Sequence, residues 1–200
     1  MNDRSDGSGG LEPWSTLSRE KVNDCRIFTV DKVRRRAPDG EKEGEFFVIG
    51  SKDWVNVIAL TEDNQVILIR QYRHGSDEMT LEIPGGILDE GELPEDAARR
   101  ELREETGFDC AEATVIGRVR PNPALFDNWA YTVLARCSAP RGETELDEHE
   151  EIEVELVAAG DVDRLLSSGQ ITHALVVDAF MWYRLHREKE RGNGDGNSPR

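Results

Sequence analysis

The stretch Gly86–Phe108 constrains the fold more than any other part of the chain, because its glycines, proline and charges surround one predicted helix. Pro94 is tolerated in the first turn of a helix, and the two acidic residues that follow it complement the helix dipole. Gly107 can adopt the left-handed conformation that closes a helix. The sequence therefore predicts a helix over Pro94–Thr106, preceded by a glycine-containing loop.

One edge of this helix carries Glu101, Glu104 and Glu105, beside its apolar stripe. Exposed glutamates four residues apart repel each other by about a few tenths of a kcal/mol. A divalent cation would reverse this repulsion, and Mg²⁺ prefers oxygen ligands. The three glutamates alone also fit a solvated acidic face. The glycine pair Gly85–Gly86 favours a metal site, because glycine lets the backbone approach a ligand and its carbonyl groups can add neutral ligands.

Composition limits the partners that the chain can have. A formal net charge of −16 argues against nucleic-acid binding, which needs a basic surface. A phosphorylated small molecule can still bind where local arginines or cations reverse the sign of the site. The chain has no run of 18 apolar residues and no secretory signal at its N-terminus. The three cysteines (Cys25, Cys110 and Cys137) show no paired spacing, which favours reduced thiols in a cytoplasmic protein.

The order of the predicted elements indicates an α+β fold. One domain is expected over residues 11–190, between disordered tails at 1–10 and 191–200. Two more helices are predicted, one from Asp161 to Gly169 and one from Thr172 to near Lys189. Strands and helices mix without strict alternation, which favours a mixed sheet. The predicted strands are Cys25–Val33, Glu45–Ile49, Trp54–Leu60, Gln65–Tyr72, Met79–Ile83, Ala113–Val119, Trp129–Cys137 and Glu151–Val157.

The helix and the loop before it resemble the Nudix hydrolase family, whose sequence box reads G-x5-E-x7-R-E-U-x-E-E-x-G-U, where U is a bulky apolar residue. The resemblance implies the Nudix fold, a mixed β-sheet between helices, here with an N-terminal antiparallel strand extension. It also implies metal-assisted attack of water on a phosphorus atom of a diphosphate. Every fixed position is filled, by Gly86, Glu92, Arg100, Glu101, Leu102, Glu104, Glu105, Gly107 and Phe108.

The resemblance assigns roles to residues of the box. Arg100 is expected to pair with Glu92 or with a metal-binding glutamate and to orient it. Glu104 is expected to assist the metal ligands and is also a candidate base. The expected cofactor is Mg²⁺, with Mn²⁺ as an alternative. The implied metal ligands in and next to the box are the backbone carbonyl of Gly85 and the carboxylates of Glu101, Glu104 and Glu105.

Segments outside the box resemble the branch of the family that cleaves ADP-ribose and nucleotide sugars. These segments are Gln71–Arg73, Leu81–Gly86, Asn122–Ala124 and Asp147–Ile152. Enzymes for ADP-ribose often have Ser-Pro-Gly where this chain has Asn122–Ala124, so other nucleotide sugars stay open as substrates.

The branch resemblance also places residues outside the box. In the acidic loop of residues 145–151 it implies Glu150 as a metal ligand and Glu148 as the candidate general base. Arg73 and Glu82 are predicted substrate-binding residues. A homodimer is expected, formed through the strands of residues 11–50. The alternatives are another nucleoside diphosphate derivative as substrate, such as a dinucleoside polyphosphate, or a non-catalytic sensor of nucleotide sugars.

Overall fold

The computed structural model describes residues 11–138, 142–146 and 151–194, which form two compact units. The first unit contains the chain up to Ser51 together with Asn122–Asp127. The second contains Lys52–Pro121 and the chain from Asn128 onward. Each unit has a sheet of its own.

The sheet of the first unit is antiparallel and has three strands in the order β1-β2-β3. These strands are β1 (Ser15–Asp24), β2 (Phe28–Arg36) and β3 (Glu43–Ser51). The predicted strands Cys25–Val33 and Glu45–Ile49 overlap with β2 and β3, which pair as an antiparallel hairpin whose turn contains Gly40 at a φ of 77°. Strand β1 was not predicted, because it is exposed along its whole length and shows no alternation of apolar and polar residues.

The second unit contains a mixed sheet of seven strands. Its main path runs β10-β5-β4-β9-β8, with β6 paired to β5 and β7 paired to β4. The β4–β9 pair is parallel and the other pairs are antiparallel. The strands are β4 (Trp54–Thr61), β5 (Gln65–Arg73), β6 (Glu78–Glu82), β7 (Gly85–Ile87), β8 (Cys110–Val119), β9 (Ala130–Cys137) and β10 (Ile152–Ala158).

Three α-helices cover the two faces of this sheet: α1 (Pro94–Thr106), α2 (Val162–Ser167) and α3 (Ala174–Gly194). Alternate residues of β4 enter two separate cores, because side chains alternate across a strand. Val57 packs in the core that contains residues of α1, whereas Ile58 packs in the core that contains residues of α2 and α3. The predicted α+β fold, a mixed sheet between helices, is confirmed.

The predicted helix over Pro94–Thr106 has the observed limits of α1, and Gly107 closes it at a φ of 71°. Two other predictions need correction. Helix α3 continues to Gly194, so the first part of the predicted C-terminal tail is helical, and residues 195–200, like 1–10, lie outside the described residues. The predicted glycine loop is partly a strand, because Gly85–Ile87 pairs with β4 as β7.

Two of the three thiols face each other across a strand pair, although no sequence spacing indicated it. Cys110 on β8 and Cys137 on β9 are register partners that pack in the same core. The backbone N–H of Ser138 donates to the carbonyl of Asp109, so the cysteines form a pair without hydrogen bonds between them, the type with the closer Cα atoms. Burial raises the pKa of the Cys137 thiol to about 12.

In the described part of the chain, no helix is long and apolar enough to cross a membrane.

Candidate active site

A polar pocket of the second unit lies where β7 leads toward α1. Helix α1 contributes the carboxylates of Glu101, Glu104 and Glu105, and the described loop after β9 contributes Glu145. The sheet contributes Trp54, Gln71 and Arg73. The other residues that line the pocket are Gly85, Gly86, Ile87, Asp89 and Arg100.

The two glycines of β7 bring backbone and carboxylates together. A Cβ atom on Gly86 would lie 2.1 Å from Oε1 of Glu101, and a Cβ atom on Gly85 would lie 2.2 Å from the carbonyl oxygen of Val55. The N–H of Gly85 donates to Oε2 of Glu105 at 3.0 Å. Only glycine therefore leaves room at both positions for the approach of β7 to α1 and to β4.

Arg100 joins the acidic side chains of the pocket. Its guanidinium donates to both carboxylate oxygens of Glu92 at 3.0 Å, to Glu101 at 2.7 Å and to Glu104 at 3.2 Å. A further hydrogen bond reaches the carbonyl of Ile87 at 3.1 Å. The hydrogen bonds to Glu92 and Glu101 raise the pKa of Arg100 against the opposing effect of burial, and Arg100 in turn lowers the pKa of Glu92. Arg100 thus contacts both of the partners that the sequence offered as alternatives, Glu92 and the glutamates of α1.

The carboxylates are satisfied by protein donors in this arrangement. Within residues 11–138, 142–146 and 151–194, no three side chains of His, Cys, Asp or Glu stand close enough together to hold a metal ion. The chemistry of these residues nevertheless suits a hard divalent cation, because the pocket offers several carboxylate oxygens beside the backbone of a glycine pair. To bind a cation, these carboxylates would have to rotate away from Arg100 and from the Gly85 N–H.

Arg73 lines the pocket and is held from behind by a buried carboxylate. Glu82 is 2% exposed and accepts two hydrogen bonds from Arg73, each at 2.8 Å. Glu82 also accepts a hydrogen bond from Thr80 at 2.7 Å and lies 2.8 Å from Nδ1 of His173. Burial alone would raise the pKa of Glu82, but these hydrogen bonds and the charge of Arg73 hold the pKa well below its ordinary value.

Comparison with known proteins places the chain in a family. The NUDIX domain matches residues 51–180. This chain belongs to the NUDIX family. A relative named ADP-ribose pyrophosphatase, from Bacillus subtilis (strain 168), is 29% identical over 171 residues, which cover 85% of this chain and 92% of that protein. The methanol dehydrogenase activator of Bacillus methanolicus is 25% identical over 178 residues, which cover 88% of this chain and 96% of that protein.

A solved structure extends the similarity to the whole fold. The crystal structure titled as that of an ADP compounds hydrolase superposes with a TM-score of 0.78 at 26% sequence identity. The match covers 96% of this chain and all of the other chain. The similarity to that structure therefore extends beyond residues 51–180, which the family comparison matched.

The structure brings most of the predicted site residues of this NUDIX domain to one pocket. Arg73, Arg100 and the predicted metal ligands Gly85, Glu101, Glu104 and Glu105 all line it. Glu82 meets Arg73 and is not among the residues that line the pocket. Glu148 and Glu150 lie outside the described residues.

The residues of the pocket and its support that had no predicted role include Trp54, Glu145 and His173. Glu145 begins the acidic run that the sequence singled out, and its N–H donates to the carbonyl of Glu104 at 2.8 Å. That contact holds the described part of the acidic loop against α1. Trp54 and His173 gave no signal in the sequence, because each is isolated among residues of ordinary strand and helix patterns.

Proposed function

We propose that this protein is a Mg²⁺-dependent hydrolase of ADP-ribose or a related nucleoside diphosphate sugar. The products are a nucleoside monophosphate and a sugar phosphate. The observation that carries the proposal is one pocket that joins the complete carboxylate edge of α1 to the Arg73 guanidinium on the sheet. Carboxylates and an arginine are the two groups needed for a diphosphate and its counter-cation.

Each residue of the pocket has a task in this proposal. A bound Mg²⁺ would supply a metal-activated water and neutralise charge on the phosphoryl oxygens. Glu101, Glu104 and Glu105, with the backbone of Gly85, would hold it, and Arg100 would orient Glu101 and Glu104.

Outside the box, Arg73 binds a phosphoryl oxygen of the substrate. Glu82 acts indirectly, by fixing the guanidinium of Arg73. Glu150 stays our predicted additional metal ligand, and Glu148 our predicted general base, with Glu104 as the other candidate for the base.

The choice of ADP-ribose rests on the named relatives. The Bacillus subtilis relative is an ADP-ribose pyrophosphatase, and the similar solved structure is that of an ADP compounds hydrolase. Two alternatives stay open. In the first alternative the substrate is another nucleoside diphosphate derivative, such as a dinucleoside polyphosphate. In the second the protein is a non-catalytic sensor of nucleotide sugars. The complete set of box carboxylates favours an enzyme over a sensor.

The test is a panel of substrates incubated with Mg²⁺ and read by mass spectrometry of the products. The panel contains ADP-ribose, other nucleotide sugars and a dinucleoside polyphosphate. A Glu105→Gln preparation, purified in parallel, shows whether any turnover belongs to this protein. AMP and ribose 5-phosphate from ADP-ribose are the expected products. Turnover of the dinucleoside polyphosphate alone would replace the substrate class, and binding without turnover would favour the sensor.

We further propose a homodimer that uses the strands of residues 11–50. Strand β1 is exposed along its length, and its sheet presents large apolar side chains such as Leu17, Phe46 and Phe47 to solvent. Such a surface is expected at an interface. Light scattering that gives the 22.5 kDa monomer at micromolar concentration would contradict the dimer.

A single domain over 11–190 and a cytoplasmic location also stay our predictions.

A further inference from the structure

We infer that Trp54 contacts the substrate, by stacking on a ring at one end of the nucleotide sugar. The inference rests on the proposed function and adds a binding contact to it. Trp54 begins β4 and lines the same pocket as the α1 carboxylates, but it comes from the sheet. An indole that lines an otherwise polar pocket offers an apolar face that the diphosphate itself does not need.

The orientation of the indole is fixed by hydrogen bonds on the side of the sheet. Nε1 of Trp54 donates to Oδ1 of Asn56 at 2.9 Å. Asn56 is 3% exposed, and its Nδ2 donates to the carbonyl of Leu175 in α3 at 3.3 Å. The polar edge of the ring is thus already satisfied within the protein. What the ring can offer a ligand is therefore its face, which suits stacking.

Arg73 is held near this indole without packing tightly on it. The Cζ atom of Arg73 lies 5.9 Å from the ring centroid of Trp54. By comparison, Arg118 and Arg120 lie 4.2 and 3.8 Å from the centroid of Trp129. The two hydrogen bonds to Glu82 oppose movement of Arg73 toward Trp54, since that movement would break a buried ion pair.

The neighbouring groups determine the kind of ligand. A guanidinium pairs with phosphoryl oxygens, and the ring next to it is placed to receive whatever is attached to that phosphate. In a nucleotide sugar one phosphate carries the nucleoside, through its ribose, and the other carries the sugar. The nucleobase offers a flat π face to an aromatic ring, and the sugar ring offers a face of C–H groups. Trp54 is therefore a specificity-determining residue for one half of the substrate.

The first experiment compares Trp54→Leu, Trp54→Phe and the control Trp129→Leu. The control removes a half-buried indole of the same unit that does not line the pocket. We expect Trp54→Leu to raise KM for ADP-ribose by about tenfold, because the substitution removes the stacking contact, while kcat changes by less than about threefold. Trp54→Phe keeps a ring and restores most of the affinity. Trp129→Leu leaves both constants near those of the wild type.

The outcomes separate stacking from a structural role. If Trp54→Phe is as impaired as Trp54→Leu, the hydrogen bond to Asn56 matters and the inference is wrong. An unchanged KM in Trp54→Leu, with wild-type turnover intact, overturns the inference and leaves the proposed function standing. A wild type that turns over no nucleotide sugar overturns both.

A second measurement uses the wild-type protein, so it does not depend on whether Trp54→Leu folds. The protein is labelled with 5-fluorotryptophan, and the resonance of Trp54 is assigned by its loss in Trp54→Phe. AMP and ribose 5-phosphate are then titrated separately. A shift of the Trp54 resonance with AMP alone assigns the stack to the nucleoside half, and a shift with ribose 5-phosphate alone assigns it to the sugar half. No shift with either compound overturns the inference.

Discussion

Substituting alanine at the two glycines of β7 tests the geometry of the site most directly. Gly86→Ala adds one methyl group whose nearest neighbours are the carboxylate atoms of Glu101, at 2.1 to 2.6 Å. The backbone at Gly86 has an ordinary negative φ, so alanine itself causes no strain there. The carboxylate must move by more than about 1 Å to reach ordinary contact, and it lies at the end of a flexible side chain.

We expect the Gly86→Ala protein to fold but to hold Glu101 in a displaced position. The displaced Glu101 loses its hydrogen bond from Arg100, a partly buried ion pair, at a cost of about 1 kcal/mol. In a chain of this length that loss lowers Tm by about 2–4 °C. Misplacing a group of the site by about 1 Å can reduce turnover by about a hundredfold. We therefore expect kcat to fall strongly while the fold survives.

Gly85→Ala should instead destabilise the fold. Its methyl group would meet the backbone carbonyl oxygen of Val55 at 2.2 Å, and a backbone atom cannot rotate away. Separating β7 from β4 costs about 3 kcal/mol, the upper range for overpacking, and lowers Tm by about 6–12 °C. Gly160→Ala is the matched control, because its methyl group would meet no atom within 4 Å.

The assays for these three variants are thermal unfolding and steady-state turnover of ADP-ribose with Mg²⁺. Binding of Mn²⁺, followed by electron paramagnetic resonance, reports on the ligands independently of turnover. Wild-type kcat and Mn²⁺ binding in Gly86→Ala would refute the role of Glu101 as a ligand. A large loss of Tm in Gly86→Ala would refute the argument that a flexible carboxylate absorbs the methyl group.

The remaining predictions concern metal, charge and thiols. EDTA should abolish turnover and Mg²⁺ or Mn²⁺ should restore it; full activity in metal-free buffer would exclude the proposed chemistry. Glu105→Gln, which keeps an acceptor for the Gly85 N–H, should reduce kcat by about a hundredfold or more, and a loss below about threefold would count against Glu105 as a ligand. Glu82→Gln should lower the free energy of unfolding at pH 7 by about 1–3 kcal/mol. Because the pKa of Glu82 is lowered in the folded state, this difference should shrink as pH falls below the ordinary value of 4.5; a difference independent of pH would contradict it. Diamide, as hydrogen acceptor, should convert the two facing thiols at Cys110 and Cys137 into a disulfide, detected by peptide mass mapping, while Cys110→Ser should prevent it.

The sequence predicted the parts of the fold that local chemistry determines. Helix α1 was predicted at its observed limits, because Pro94 and Gly107 mark both ends of it. Strands that alternate or are uniformly apolar were found within a few residues of their limits. Strand β1 was missed, since its pairing with β2 depends on partners distant in sequence and its own pattern carries no period.

The candidate site shows the same division. The carboxylates of α1 could be placed together because their spacing puts them on one edge of the helix, and the resemblance to the family supplied their expected roles. The role of Glu82 as a support for Arg73 could not, because it depends on the pairing of β5 with β6 and on His173, which lies 91 residues away in the chain. Trp54 was missed for the same reason, because only the folded sheet brings its indole to the pocket.

Arg100 allows the acidic edge of the pocket to exist before any metal arrives. It acts as a built-in counterion for Glu92, Glu101 and Glu104, so their mutual repulsion is already compensated in the folded chain. In this respect the protein differs from small domains that unfold when their metal is removed. It should survive purification in chelating buffer with its fold intact, and activity should return on adding the ion without a refolding step. Binding of the ion would then replace the guanidinium of Arg100 by Mg²⁺ as the positive partner of the same carboxylate oxygens.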